Sequence, residues 1–97
     1  MILKAFSVYL QKHKKDIIEN KTTAAKLLCV WLKEVIHKTP RNHIDKIVHK
    51  EIMLAENKAG NFLIVGKSPS GRVLVNALYN YALSYEHYIL TKSLEDI

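Results

Sequence analysis

The sequence predicts a mostly helical α+β domain: three N-terminal helices, a β-hairpin, then a C-terminal helix. Three observations predict it. Apolar residues recur at three- and four-residue steps from Ile2 to about Lys58. The spacing gives way to two β-type runs between Asn61 and Asn76. Helical spacing then resumes from Ala77 to the end of the chain. With 97 residues, 48% of them hydrophobic and 25% charged, the chain is one domain of ordinary globular composition. Its parts are a basic three-helix region over 1–60, a hairpin over 61–76 and a helix over 77–97.

The first helix is expected from about Leu3 to Glu19. At 100° per residue, Ile2, Leu3, Phe6, Tyr9, Leu10, His13 and Ile17 share one arc. Lys4, Lys12 and Lys15 lie opposite. Asn20 to Thr23 reads as a turn, with a Thr placed to cap the next helix. That second helix, Thr23 to Lys38, is apolar over more than half its circumference and belongs at the centre of the domain. Cys29 lies within it, as a small hydrophobe.

Thr39-Pro40 reads as a helix restart, Thr at the cap and Pro in the first turn. The third helix is expected from Pro40 to about Lys58, with Gly60 ending it. Phe62–Val65 and Val73–Val75 are the expected hairpin strands, joined through Gly66-Lys67-Ser68-Pro69-Ser70-Gly71-Arg72. The last helix, Ala77 to Leu94, shows two apolar strips. Leu78, Tyr81, Ala82, Tyr85, Tyr88 and Ile89 face the core, and Tyr79, Leu83, Leu90 and Leu94 form a second strip expected to mediate self-association.

Two polar residues fall inside apolar arcs, His13 in the first helix and Glu51 in the third. Burial of either alone is costly, so each is expected at the rim of the core or paired with the other.

Charge narrows the function. Fifteen Lys and Arg against nine Asp and Glu give a formal charge of +6. Residues 1–20 carry four Lys and two acids, residues 21–60 eight basic and four acidic residues, and residues 61–97 three of each. The excess is therefore confined to the first sixty residues, and if it gathers on one face it calls for an anionic partner. No apolar run exceeds Leu27–Leu32, too short for a membrane span, and Lys4 interrupts any signal-peptide core. A single Cys points to a reducing, cytoplasmic setting.

Catalytic motifs are not expected to apply. Gly66-Lys67-Ser68 resembles the end of a phosphate loop, but position 61 is Asn where a Gly is needed, and Pro69 follows the Ser. The five His lack metal-ligand spacing, so neither metal nor cofactor is expected, and no nucleophile or carboxylate pair is marked out. The tyrosines of the last helix read as packing groups more readily than as base-stacking platforms.

The outer arc of the third helix is the best candidate for a site. Asn42, His43, Lys46 and Lys50 lie together there, Lys supplying phosphate attraction and Asn a possible base contact. The order helix, helix, helix, hairpin, helix resembles a winged-helix domain with an added dimerisation helix. That resemblance implies the third helix in a DNA groove, and Lys67 and Arg72 of the hairpin loop on the flanking backbone. The alternative architecture is a helical bundle with an attached hairpin, because the second and third helices come out at sixteen to nineteen residues. The expected function is a non-enzymatic, homodimeric DNA-binding protein acting as a transcriptional regulator. The alternative is an inhibitor, immunity or adaptor protein that masks another protein or a nucleoprotein.

Overall fold

The structure, a computed structural model, describes residues 2–95 and is α+β, mostly α. Its elements are α1 (Ile2–Lys12), α2 (Lys14–Ile18), α3 (Ala24–Ile36), α4 (His43–Glu51), β1 (Ile52–Glu56), β2 (Phe62–Gly66) and α5 (Pro69–Glu95). The first expected helix is present but broken at His13. There the backbone leaves the helical region (φ −108°, ψ 14°), and His13 N–H reaches back three residues to the Leu10 carbonyl at 3.1 Å. Phe6 and Leu10 are fully buried ahead of the break, and Ile17 is buried after it.

The turn after α2 is a Schellman closure with asparagine in the left-handed position. Asn20 has φ +60°, its N–H donates to the Ile17 carbonyl, and Lys21 N–H donates to the Asp16 carbonyl at 2.9 Å. Thr23 then caps α3, its hydroxyl oxygen accepting from Lys26 N–H at 3.2 Å. Helix α3 is the central element the sequence predicts. Leu27, Leu28, Trp31 and Leu32 are all buried, and Trp31 stacks on Phe6 at 5.2 Å between ring centroids.

The third expected helix is corrected at both ends. Thr39-Pro40 does not start it; Asn42 is the cap, with its Oδ1 accepting from Asp45 N–H at 2.8 Å. The helix also stops at Glu51, and Ile52 runs directly into β1. Residues 52–56, expected as helix, pair antiparallel with β2, Met53 opposite Val65 and Ala55 opposite Leu63. The hairpin turn is therefore residues 57–61. Asn57 Oδ1 accepts from Ala59 N–H (2.9 Å) and Asn61 N–H (3.0 Å), and Gly60 takes φ +82°, a conformation L side chains resist.

Phe62–Val65 is a strand as expected, but its expected partner Val73–Val75 lies inside α5. The cause is the helix start at Ser68-Pro69. Ser68 Oγ accepts from Gly71 N–H at 3.1 Å and Pro69 occupies the first helical position. The expected division into 1–60, 61–76 and 77–97 moves accordingly, with the hairpin at 52–66 and the last helix beginning at Pro69.

One core holds these elements together. Val48 of α4, Ile52 and Ile64 of the hairpin, and Val75, Leu78, Ala82 and Ile89 of α5 close around α3 and α1. Among the described residues no helix is long and apolar enough to cross a membrane.

Candidate nucleic-acid interface

Helix α4 is short, and its two sides do different work. Val48 is fully buried against the core. On the opposite side His43, Lys46 and Lys50, at steps of three and four, are all exposed within one narrow arc. His49 clamps the helix to its neighbour, its Nε2 lying 2.8 Å from the Val35 carbonyl at the end of α3. The two lysines thus project from a helix held rigidly from behind.

Neither lysine is in an ion pair among the described residues, though Lys50 acts on the Glu51 carboxylate beside it. Among the described residues two ion pairs are found, Lys21–Glu19 at 3.2 Å and His13–Asp16 at 3.9 Å. Neither involves α4. Asn42 is exposed at the start of the same helix, but its Oδ1 serves the cap, which leaves its amide N–H group to meet a partner.

Lys67 and Arg72 separate. Lys67 is not on a hairpin tip: it follows β2, its N–H donating to the Glu51 carbonyl and its Nζ to the His49 carbonyl, both at 2.8 Å. That places a cation on the last carbonyls of α4, where the helix dipole favours it, at the same end as Lys50. Arg72 stands in the first turn of α5, beside a groove of about 500 Å³ that β2 and α5 enclose through Leu63, Val65 and Asn76. The cation at the true hairpin tip is Lys58, which the sequence reading placed at the end of a helix.

The expected His13–Glu51 pair is not formed. His13, at the break in the first helix, is partly exposed, its ring tilted against Tyr9 with centroids 4.5 Å apart and its Nδ1 3.9 Å from Asp16. Glu51 instead accepts from Ser68 Oγ at 2.7 Å and Ser70 Oγ at 2.9 Å. Those two bonds, Ser68 first, hold its carboxyl below the usual glutamate range. Glu51 and its two serines thereby tie the end of α4 to the start of α5.

A feature the sequence reading missed is a groove of about 530 Å³ beside the N-terminus of α4. Tyr9 and Trp31 line it, with Lys12, Lys38 and Arg41 as cations and Glu34 and Asp45 as anions. Burial, and then the Glu34 carboxylate, push the Tyr9 hydroxyl above its ordinary range. These residues come from three separate segments, so no local pattern announces them.

Of the expected self-association strip, Leu83, Leu90 and Leu94 are exposed, while Tyr79 is half-buried against the core. Comparison with protein-family models, with curated proteins and with solved structures found no match.

Proposed function

We propose that this chain is a small DNA-binding protein of winged-helix-like design, with α4 as the groove-entering helix and the β1–β2 hairpin as the wing. The observation that carries this reading is the arc of His43, Lys46 and Lys50, exposed and without carboxylate partners among the described residues, on a helix fixed from behind. Element lengths support it. Helices α3 and α4 are 13 and 9 residues long, within the compass of a compact helix–turn–helix pair, and the hairpin follows α4 directly. In this reading Lys58 at the hairpin tip takes the flanking-backbone role, and Lys67 adds charge at the end of α4 beside Lys50.

The test is fluorescence anisotropy of a labelled random duplex at low and near-physiological salt. Binding should fall steeply with salt, because each phosphate engaged releases counterions and contributes about 0.9 to the logarithmic slope. Lys46→Gln with Lys50→Gln should flatten that slope by about 1.8. Lys46→Glu with Lys50→Glu should abolish binding and leave the fold intact, since both side chains lie in solvent. A charge-reversed protein that binds as the parent does would remove α4 from the interface.

A second reading, a module that covers another protein, rests on the outer face of the hairpin. Met53, Ala55, Leu63 and Val65 share that face, and Met53 and Leu63 are exposed. Absence of duplex binding at low salt favours it.

A further inference from the structure

Helix α5 carries two stripes with the same repeat. On the inward side Val75, Leu78, Ala82 and Ile89 are buried and Tyr85 packs among the core residues, so the steps alternate between three and four. Moving two residues along the chain, about 200° around the helix, gives a second stripe from Val73 to Leu94 with the same alternation. Its apolar members are Val73, Leu83, Leu90 and Leu94; its polar members are Asn76, Asn80 and His87. All seven are exposed. Val73 is 69% exposed, Leu83 54%, Leu90 38% and Leu94 71%. Three heptads of this spacing make the 3.5-residue repeat of a two-stranded coiled coil, and among the described residues each of its seven members remains exposed.

We propose that α5 pairs with α5 of a second copy, parallel and in register, so that each residue of the outer stripe meets its own counterpart. The inference is independent of nucleic-acid binding. Charge selects the partner and the face. Two chains of net charge +6 repel unless they meet on neutral surface. Between Arg72 and Lys92 the formal charge comes from Glu86 alone, and its carboxylate is turned to the Ala24 N–H of α3 at 3.0 Å.

The polar members select the direction. In a parallel pair Asn76, Asn80 and His87 each face an identical group with which they can hydrogen-bond, and an Asn in such a core position is a known register device. An antiparallel pair about the middle of the stripe would set Asn80 beside His87 but would bring Asn76 beside Leu90, stranding an amide against hydrocarbon at each end of the pair.

The area is adequate for a reversible dimer. The stripe, its flanking residues, and Leu63 and Val65 across the groove from Asn76 make about fifteen residues a side. At roughly 30–40 Å² each, as in a standard interface, the pair covers about 1,000 Å², the lower bound for specific association.

Sedimentation equilibrium without nucleic acid, from about 1 to 200 µM protein, reads the result at concentrations that bracket such an affinity. The parent should dimerise within that range, and so should the chain carrying Lys46→Glu with Lys50→Glu. Leu83→Glu with Leu90→Glu should leave a monomer of unchanged helicity by circular dichroism. Asn80→Leu should tighten the dimer at least tenfold, because a buried Asn lowers stability in exchange for register. In a Cys29→Ser background, Asn80→Cys should give a disulfide-linked dimer on mild oxidation. A parent that stays monomeric at 200 µM, or a looser Asn80→Leu dimer, overturns the interface. A dimer that Asn80→Cys does not cross-link overturns the parallel register.

Discussion

Gly71, in the first turn of α5, is where that helix comes against the end of α4, and replacing it with alanine sets two opposed effects against each other. An added Cβ would fall on the Glu51 carbonyl oxygen, inside van der Waals contact, and would lie 3.2 Å from Glu51 Oε2 and 3.3 Å from the Glu51 carbonyl carbon. The obstacle is mostly backbone, and it is held in place, because that same carbonyl accepts from Lys67 N–H at 2.8 Å. In favour of the substitution, alanine gains at most about 1 kcal/mol over glycine in a helix. Against it, overpacking that forces a backbone shift costs about 1–3 kcal/mol. The shift also strains the bonds from Ser68 and Ser70 to Glu51, which cross the same gap. The second effect wins, for a net loss of about 1–2 kcal/mol. In a domain of this size each kcal/mol moves Tm by about 4–8 °C, so Gly71→Ala should melt about 5–15 °C lower. Thermal unfolding followed by circular dichroism at 222 nm checks it. A variant melting above the parent would show that α5 does not approach α4 as closely as described.

Two further predictions separate roles that one residue combines. Asn42→Ala removes the cap of α4 and should lower stability by about 1 kcal/mol in urea titration; Asn42→Asp keeps an acceptor for Asp45 N–H, so it should hold stability while weakening duplex binding through its added negative charge. Glu51 has its folded pKa depressed by Ser68 and then Ser70, so it contributes stability above the ordinary glutamate pKa and loses it as pH falls through the lower folded value. Glu51→Gln should therefore flatten the acid side of a plot of Tm against pH, and an unchanged acid side would mean that the two serine bonds contribute nothing to folding.

Local signals were legible wherever the chemistry was complete within a few residues. Thr23 announces α3 because its hydroxyl, three residues ahead of Lys26 N–H, needs no help from elsewhere. The run of Leu27, Leu28, Trp31 and Leu32 likewise places α3 at the centre. The boundary between α4 and β1 was not legible. Ile52, Leu54 and Ala55 satisfy a helical arc as well as a strand, and the choice is made by β2, which needs a partner six to fourteen residues away. Once the chain turns back, Asn57, Gly60 and Asn61 read as the hairpin turn they form; taken along the chain alone, Gly60 reads as a helix stop. Val73, Leu74 and Val75 show the reverse error, a strand-like run with two β-branched valines carried in a helix because Ser68 and Pro69 start it and Val75 and Leu78 bury on its inner side. For the candidate site, the arc of His43, Lys46 and Lys50 survives the correction because all three precede the misplaced boundary. Lys67, Arg72 and Lys58 change roles because they follow it.

The bond from Ala24 N–H to Glu86 Oε1 spans 62 residues of sequence and closes the first turn of α3. Of the N–H groups that open that helix, Lys26 is served locally by Thr23, whereas Ala24 is served only by a side chain from the middle of α5. The start of α3 is therefore complete only when the C-terminal helix is docked, and Glu86 sits next in sequence to His87 of the outer stripe. A displacement of α5 that breaks this bond leaves the Ala24 N–H without its side-chain acceptor, at the head of the helix whose far end holds α4 through Val35 and His49. Hydrogen bonds thus join the C-terminal helix to the head of α3, and the end of α3 to the helix that carries Lys46 and Lys50.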